Sequence, residues 1–324
     1  MNLTDQASGP LLTLKIDVDT YRGTQLGVAN LVRLLGLHKA QATFLFSLGP
    51  DHTGWALRRA FRPGFFSKVA RTSVLEHYGL KTLMYGVLLP APDIGRDCMH
   101  EMRAVRDAGF ECGIHTWDHV CWQDNVHKQA AAWTIRMMRR AAARYAQVFG
   151  APATTHGAAG WQMNPVAFGE HETAGYLYAS DGRAPLNDDG SLQSQASGPH
   201  RLQDANKTLP CIQLPTTLPT LDELLGRTID GSVITTANIA AHLLTLTAGS
   251  KRDHVYTLHA ELEGQKLAPV FEQLLVGWQA QGYRLASMAQ YHDKVKHDLL
   301  PICPISWGEV PGRSGRLIVQ GSPR

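Results

Sequence analysis

One apolar run near the start of the chain constrains the fold most. Leu11-Leu12-Thr13-Leu14-Lys15-Ile16-Asp17-Val18-Asp19 lies between Gly9-Pro10 and Gly23 and ends in two acids. It is too short to span a membrane and has the bounds of a buried strand. Leu26 to Leu37 then repeats apolar residues at helical spacing, and Ala42 to Leu48 is a second strand that stops at Gly49-Pro50. Strand, helix, strand is the βαβ unit of a parallel sheet.

The alternation resumes after Asp93. Helices are expected over Asp93 to Ala108, Val126 to Phe149, Thr236 to Ala248 and Lys266 to Gln281. Strands are expected at Glu111 to His115, Ala153 to Gly157, Tyr176 to Asp181, Ile212 to Leu214, Val255 to His259 and Tyr283 to Ala286. Repeated strand–helix units favour an α/β barrel over an open sheet. Asn187 to Asn206 is polar and reads as a surface loop. Residues 10–294 thus read as one barrel domain and residues 295–324 as an irregular, Gly- and Pro-rich tail.

Composition excludes several classes. A net charge of +3 over 324 residues is too small to argue for a nucleic-acid partner. The five cysteines are odd in number and form no C-x-x-C pair, which fits a reducing compartment and speaks against a disulfide scaffold or a zinc ribbon. No run of eighteen apolar residues occurs, so the expected location is the cytoplasm.

One stretch breaks the rhythm. Residues 52–92 carry Arg58, Arg59, Arg62, Lys68, Arg71 and Lys81 against a single Glu76, interleaved with Trp55, Phe61, Phe65, Phe66, Tyr78 and Tyr85. That mixture suits a segment lying on an anionic membrane surface. An ordinary helical insertion packed on the domain would read the same way.

Three patterns carry chemistry, each at the C-terminal end of an expected strand, where barrel active sites are built. Asp17 and Asp19 lie on one side of the first strand. His115 and His119, at i and i+4, are expected on one face of a helical turn, close enough to share an ion. His259 ends Tyr256-Thr257-Leu258-His259. Two histidines and a carboxylate leave a coordination position open for water. Solvated acids and chance histidine pairs would account for each pattern singly; their order along the chain favours a joint site.

Asp17-Val18-Asp19, His115-Thr116-x-x-His119 and Leu258-His259 resemble the signature of the polysaccharide deacetylase (NodB-homology) family. Lys15 to Thr24, Phe46 to Asp51, Ala158 to Trp161, Ser180 to Arg183, Leu214 to Thr220 and His259 to Gly264 narrow the resemblance to one subfamily, whose members deformylate a formamido-arabinose carried on undecaprenyl phosphate. The resemblance implies a distorted (β/α) barrel with fewer than eight regular strands. It implies that Asp19, His115 and His119 hold one divalent metal; two histidines, an aspartate and water suit zinc, with cobalt, manganese or nickel also admitted. It implies Asp17 as general base and His259 as general acid. The implied substrate is an undecaprenyl-phosphate-linked amino sugar met at the cytoplasmic face of the inner membrane, and the implied product feeds lipid A modification and polymyxin resistance.

The wider family has an arginine in its third motif that braces the catalytic aspartate; here the stretch His156 to Gln162 has none. Arg183 is the expected substitute. Asp181 is expected to hold His259 charged through a hydrogen bond, with a turn cap as the plainer alternative. Trp161 reads as a wall of the sugar pocket or a core aromatic. Glu261 reads as facing the amino group or solvent, and Thr216 as a supporting or substrate-binding residue. The rival functions are an N-deacetylase of a soluble amino sugar and a non-catalytic lipid-binding module. The first has no use for the 52–92 segment, and the second has no use for both an acid and a base.

Overall fold

In a computed structural model of the chain, which describes residues 9–56 and 79–323, β1 (Leu11–Val18) is buried along its whole length. Both of its edges are paired. β1 pairs in parallel with β2 (Thr43–Ser47), with β10 (His254–His259) and, at its start, with β11 (Arg284–Ala286). The sheet continues from β2 through β3 (Glu111–Thr116), β4 (Thr155–His156) and β5 (Tyr178–Ala179) to β7 (Lys207–Gln213), again in parallel. Each fully buried leucine in these strands contributes about 1.5–3 kcal/mol relative to exposure.

The strand order β10-β1-β2-β3-β4-β5-β7 describes a barrel wall, and its two ends meet without a ladder. Beyond β7, the Thr217 backbone N–H donates to the Val255 carbonyl at 2.9 Å, and Val255 N–H donates to Thr217 Oγ1 at 2.9 Å. Single backbone and side-chain contacts, rather than a strand pair, join the two ends. Helices cover the outside: α1 (Val28–Leu37), α2 (Met99–Asp107), α3 (His119–Asn125), α4 (Ala131–Phe149), α5 (Pro165–Ala174), α6 (Leu221–Leu224), α7 (Ile239–Thr247), α8 (Ala268–Ala280) and α9 (Met288–Lys294). The mixed α/β fold with a parallel sheet matches expectation.

Two stretches depart from the sequence reading. Within the expected loop Asn187 to Asn206, His200–Asp204 forms β6, antiparallel to β7 across a tight turn in which Ala205 has φ 49°. The tail is not irregular throughout. Ile302–Gly308 forms β12, parallel to β6, and Leu317–Gln320 forms β13, antiparallel to β12, so among the described residues the sheet reaches eleven strands; β8 (Thr228–Ile229) and β9 (Ser232–Val233) pair with each other apart from it. β6 is largely polar and β12 carries a proline, and the β6–β12 pairing joins segments far apart in the chain, which local pattern does not reveal. Most of the basic, aromatic segment, residues 57–78, lies outside the described residues.

Candidate metal and catalytic site

The exits of β1, β3 and β10 converge. Beyond the end of β1, the chain is held by Glu261, whose Oε1 accepts from Asp19 N–H (3.1 Å), Thr20 N–H (2.9 Å) and Thr20 Oγ1–H (2.8 Å). A Cβ at Gly23 would overlap that carboxylate, so the close approach requires glycine. Glu261 is 2% exposed, and its carboxylate is engaged by the turn beyond β1 rather than by solvent. Burial, and then the charge of Asp19, push its pKa well above the usual carboxylate range.

Asp19, His115 and His119 come together. His115 Nε2 lies 3.2 Å from Asp19 Oδ1, and His119 Nε2 lies 3.4 Å from Asp19 Oδ2, with imidazole centroids 5.3 Å apart. The histidines do not share a helical turn as expected: His115 belongs to β3 and His119 opens α3. Between them Asp118 is extended (φ −146°, ψ 110°) and caps α3 by accepting from Cys121 N–H at 3.0 Å. Its other oxygen accepts from His52 Nδ1 at 2.6 Å. The i, i+4 spacing therefore works through a strand-to-helix junction.

This donor set fits a divalent cation. His115 Nδ1 is spent on the Gly157 carbonyl at 2.7 Å, which fixes the ring and leaves Nε2 toward Asp19. Asp19 Oδ1 is buried with no hydrogen-bond partner among the described residues. Nitrogen–oxygen separations of 3.2 and 3.4 Å are those of ligands each about 2.0–2.2 Å from a common ion. Burial alone would raise the Asp19 pKa, but His119 and His115 outweigh it and hold the carboxyl well below its usual range.

Asp17 is 3% exposed, and its two oxygens differ. Oδ2 accepts from Lys15 Nζ at 2.7 Å; Oδ1 has no hydrogen-bond partner among the described residues and lies 3.7 Å from His115 Nδ1. His259, partly exposed at the end of β10, pairs in register with Asp17 across the sheet. Its backbone N–H donates to Glu263 Oε2 at 3.0 Å, while its Nδ1 is buried with no hydrogen-bond partner among the described residues.

The supporting residues expected from sequence are placed differently. Arg183 is fully buried and makes a two-pronged ion pair with Glu223, with a further bond to the Leu218 carbonyl; it is committed there and not to Asp17. Asp181 does not meet His259. It accepts from His156 Nδ1 at 2.7 Å and from Gln213 Nε2 at 3.1 Å, with His171 Nε2 3.5 Å away. That second cluster has the residue types of a metal site, yet its carboxylate is already bound at hydrogen-bond length and all three members are buried. Asp222 is one carboxylate that feels His259; burial would raise its pKa, but Arg313 and then His259 pull it down to about 2. Thr216 is buried against Thr257 Oγ1 at 2.6 Å. Trp161 is 1% exposed and walls no open pocket; Arg183, Arg313 and Lys15 lie over its ring at 4.6, 4.8 and 5.2 Å. Lys15 and Asp222 are the residues that sequence reasoning missed. A charged residue inside an otherwise apolar strand is the signal that points to the first.

No family model matches the chain. A Shewanella sediminis protein named "probable 4-deoxy-4-formamido-L-arabinose-phosphoundecaprenol deformylase ArnD" is 33% identical over 310 residues, covering 95% of this chain and 94% of that protein. A Wigglesworthia glossinidia brevipalpis protein of the same name is 28% identical over 304 residues, covering 92% and 98%. Among solved structures, one described as a polysaccharide deacetylase from Mycobacterium smegmatis superposes with a TM-score of 0.60 at 15% identity, covering 93% of this chain and 96% of that one. That likeness shows the fold, and the similarity in sequence over nearly the full length shows the rest: the chain belongs to the ArnD family.

Proposed function

We propose that the chain hydrolyses the formamide of a 4-deoxy-4-formamido-L-arabinose carried on undecaprenyl phosphate, giving formate and the free 4-amino sugar lipid. The single observation that carries this reading is the meeting of Asp17, Asp19, His115, His119 and His259 at the mouth of the barrel, in a chain whose relatives bear that activity in their names.

Asp19, His115 and His119 would hold one divalent ion, for which zinc suits the donor set and cobalt, manganese or nickel are alternatives. When bound, such an ion supplies Lewis-acid polarisation of the amide carbonyl and eases deprotonation of water. Asp17 takes the proton of the attacking water on Oδ1, the oxygen that its hydrogen bonds leave available. His259 gives a proton to the departing nitrogen, which leaves as a neutral amine. Asp222 and Glu263 both lie within electrostatic reach of His259.

Contact with an anionic membrane surface by the 52–92 segment is part of the same proposal. Support within the described residues is the turn after Leu80–Met84, where Val87 is 53% and Leu88 77% exposed beside exposed Lys81. No helix among the described residues is long and apolar enough to cross a membrane.

The test is formate release from the lipid-linked formamido sugar by purified, metal-loaded protein. Turnover there and none on a soluble N-acetylated amino sugar is the expected result. The reverse pattern would establish the soluble-substrate deacetylase instead. Flotation with anionic liposomes, with and without residues 52–92, checks the membrane contact.

A further inference from the structure

Lys15 interrupts the apolar strand β1 and is fully buried. Placing an ammonium in a core costs several kcal/mol unless it is well paired, so neither packing nor strand propensity explains it. Lys15 and Asp17 are two apart on a strand and lie on the same face. The ammonium donates to Asp17 Oδ2 at 2.7 Å, with both side chains buried.

The surroundings are built for this pair. The lysine stem passes directly against Gly157, just beyond the end of β4. A Cβ there would lie 2.8 Å from Lys15 Cε and would collide with Leu45 Cδ1. Glycine at that position opens the passage for Lys15. It also lies in the stretch His156 to Gln162, where the family resemblance leads one to look for an arginine. Past the ammonium lies the Trp161 ring, 5.2 Å away, wedged in turn against Arg183 and Arg313. Trp161 and its neighbour Gly160 adopt left-handed backbone (φ 53° and 59°), an uncommon conformation for a bulky residue.

We infer that Lys15 is the positioning residue for Asp17, supplied by β1 itself in place of an arginine from β4, with Trp161 as its backstop. Lys15 engages Oδ2 and so fixes the carboxylate with Oδ1 as the oxygen left to accept a proton. The inference rests on the reading of Asp17 as general base. It also resolves what orients that base when Arg183 is engaged by Glu223.

The experiment compares K15M, D17N and K15M/D17N, loaded with the same metal, for metal content, KM and kcat on the lipid-linked formamido sugar. K15M is expected to keep its metal and a KM within about three-fold, and to lose about 100-fold or more in kcat, the scale of a misplaced general base. The double variant is expected to be no slower than D17N, because Lys15 acts through Asp17. K15M with kcat within about three-fold of the parent overturns the inference. So does loss of metal in K15M, or a further 100-fold loss on adding K15M to D17N. The double variant, which leaves no carboxylate unpaired, serves as the folding control. If K15M folds in neither background, Lys15 is a packing residue and the inference falls; if it folds only together with D17N, the comparison of the double variant with D17N decides. Parent-level turnover in D17N would instead sink the base assignment, whatever K15M does.

Discussion

Asp118 sits between the two histidines of the site and supports only one of them, which makes a sharp test of the metal reading possible. Its Oδ1 accepts from Cys121 N–H at 3.0 Å and so caps α3, a helix of seven residues that begins at His119. A helix that short does not hold itself together in water, and its first turn depends on the cap and on packing. Replacing an aspartate cap by alanine costs about 1 kcal/mol, up to about 2. If that cost falls on the pose of His119, metal affinity drops roughly five- to thirty-fold, at 1.4 kcal/mol per decade. Asp118→Asn keeps a capping oxygen and is expected to bind metal within about three-fold of the parent. His52→Ala removes the 2.6 Å contact to Oδ2, along with the stacking of His52 on Trp55, and leaves the cap in place. The assay is competition for zinc or cobalt against a chromophoric chelator, with unfolding followed in parallel. Parent-like affinity in Asp118→Ala would refute the link between cap and ligand. Equal weakening in Asp118→Asn would refute it too, by assigning the effect to charge.

Other consequences follow from the same geometry. His115→Ala or His119→Ala is expected to abolish metal retention in equilibrium dialysis, whereas His259→Ala should keep the metal and lose turnover. Glu223→Ala strands the fully buried Arg183 and also removes the acceptor for Thr220 N–H, so it should cost about 3–5 kcal/mol in denaturant unfolding. An Arg183→Met, Glu223→Leu double variant should recover most of that loss. His200 is buried, and desolvation lowers its pKa to about 4 from 6.5. Below pH 6.5 the unfolded chain takes up a proton that the folded one refuses, so this contribution is fully present above pH 6.5 and is lost as pH falls toward 4. His200→Gln should flatten the pH dependence of stability in that window by up to about 1.4 kcal/mol per pH unit, measured by urea titrations at several pH values.

The parts of the site that were legible in sequence are those where chemistry and chain position coincide. Asp17, Asp19, His115 and His259 stand at strand ends, and a parallel sheet delivers the ends of its strands to one place. His119 was legible as a partner of His115 by spacing, although the spacing was read as helical and is in fact a junction. Asp181 and Arg183 looked equally apt, standing just after β5. The sheet turns them to His156 and Glu223, choices that depend on β7 and α6 and not on their own neighbours in sequence.

What the sequence determined alone, then, was the βαβ rhythm and the residues that strand ends expose, because both follow from local periodicity. The tertiary structure decided which charges meet. Lys15 lies two residues from Asp17, yet the need for it became visible only when Gly157, just beyond β4, opened a passage and Trp161 closed it. A buried ammonium is tolerable only where distant segments bring a counter-charge and close packing to it, and such contacts are made by the fold as a whole.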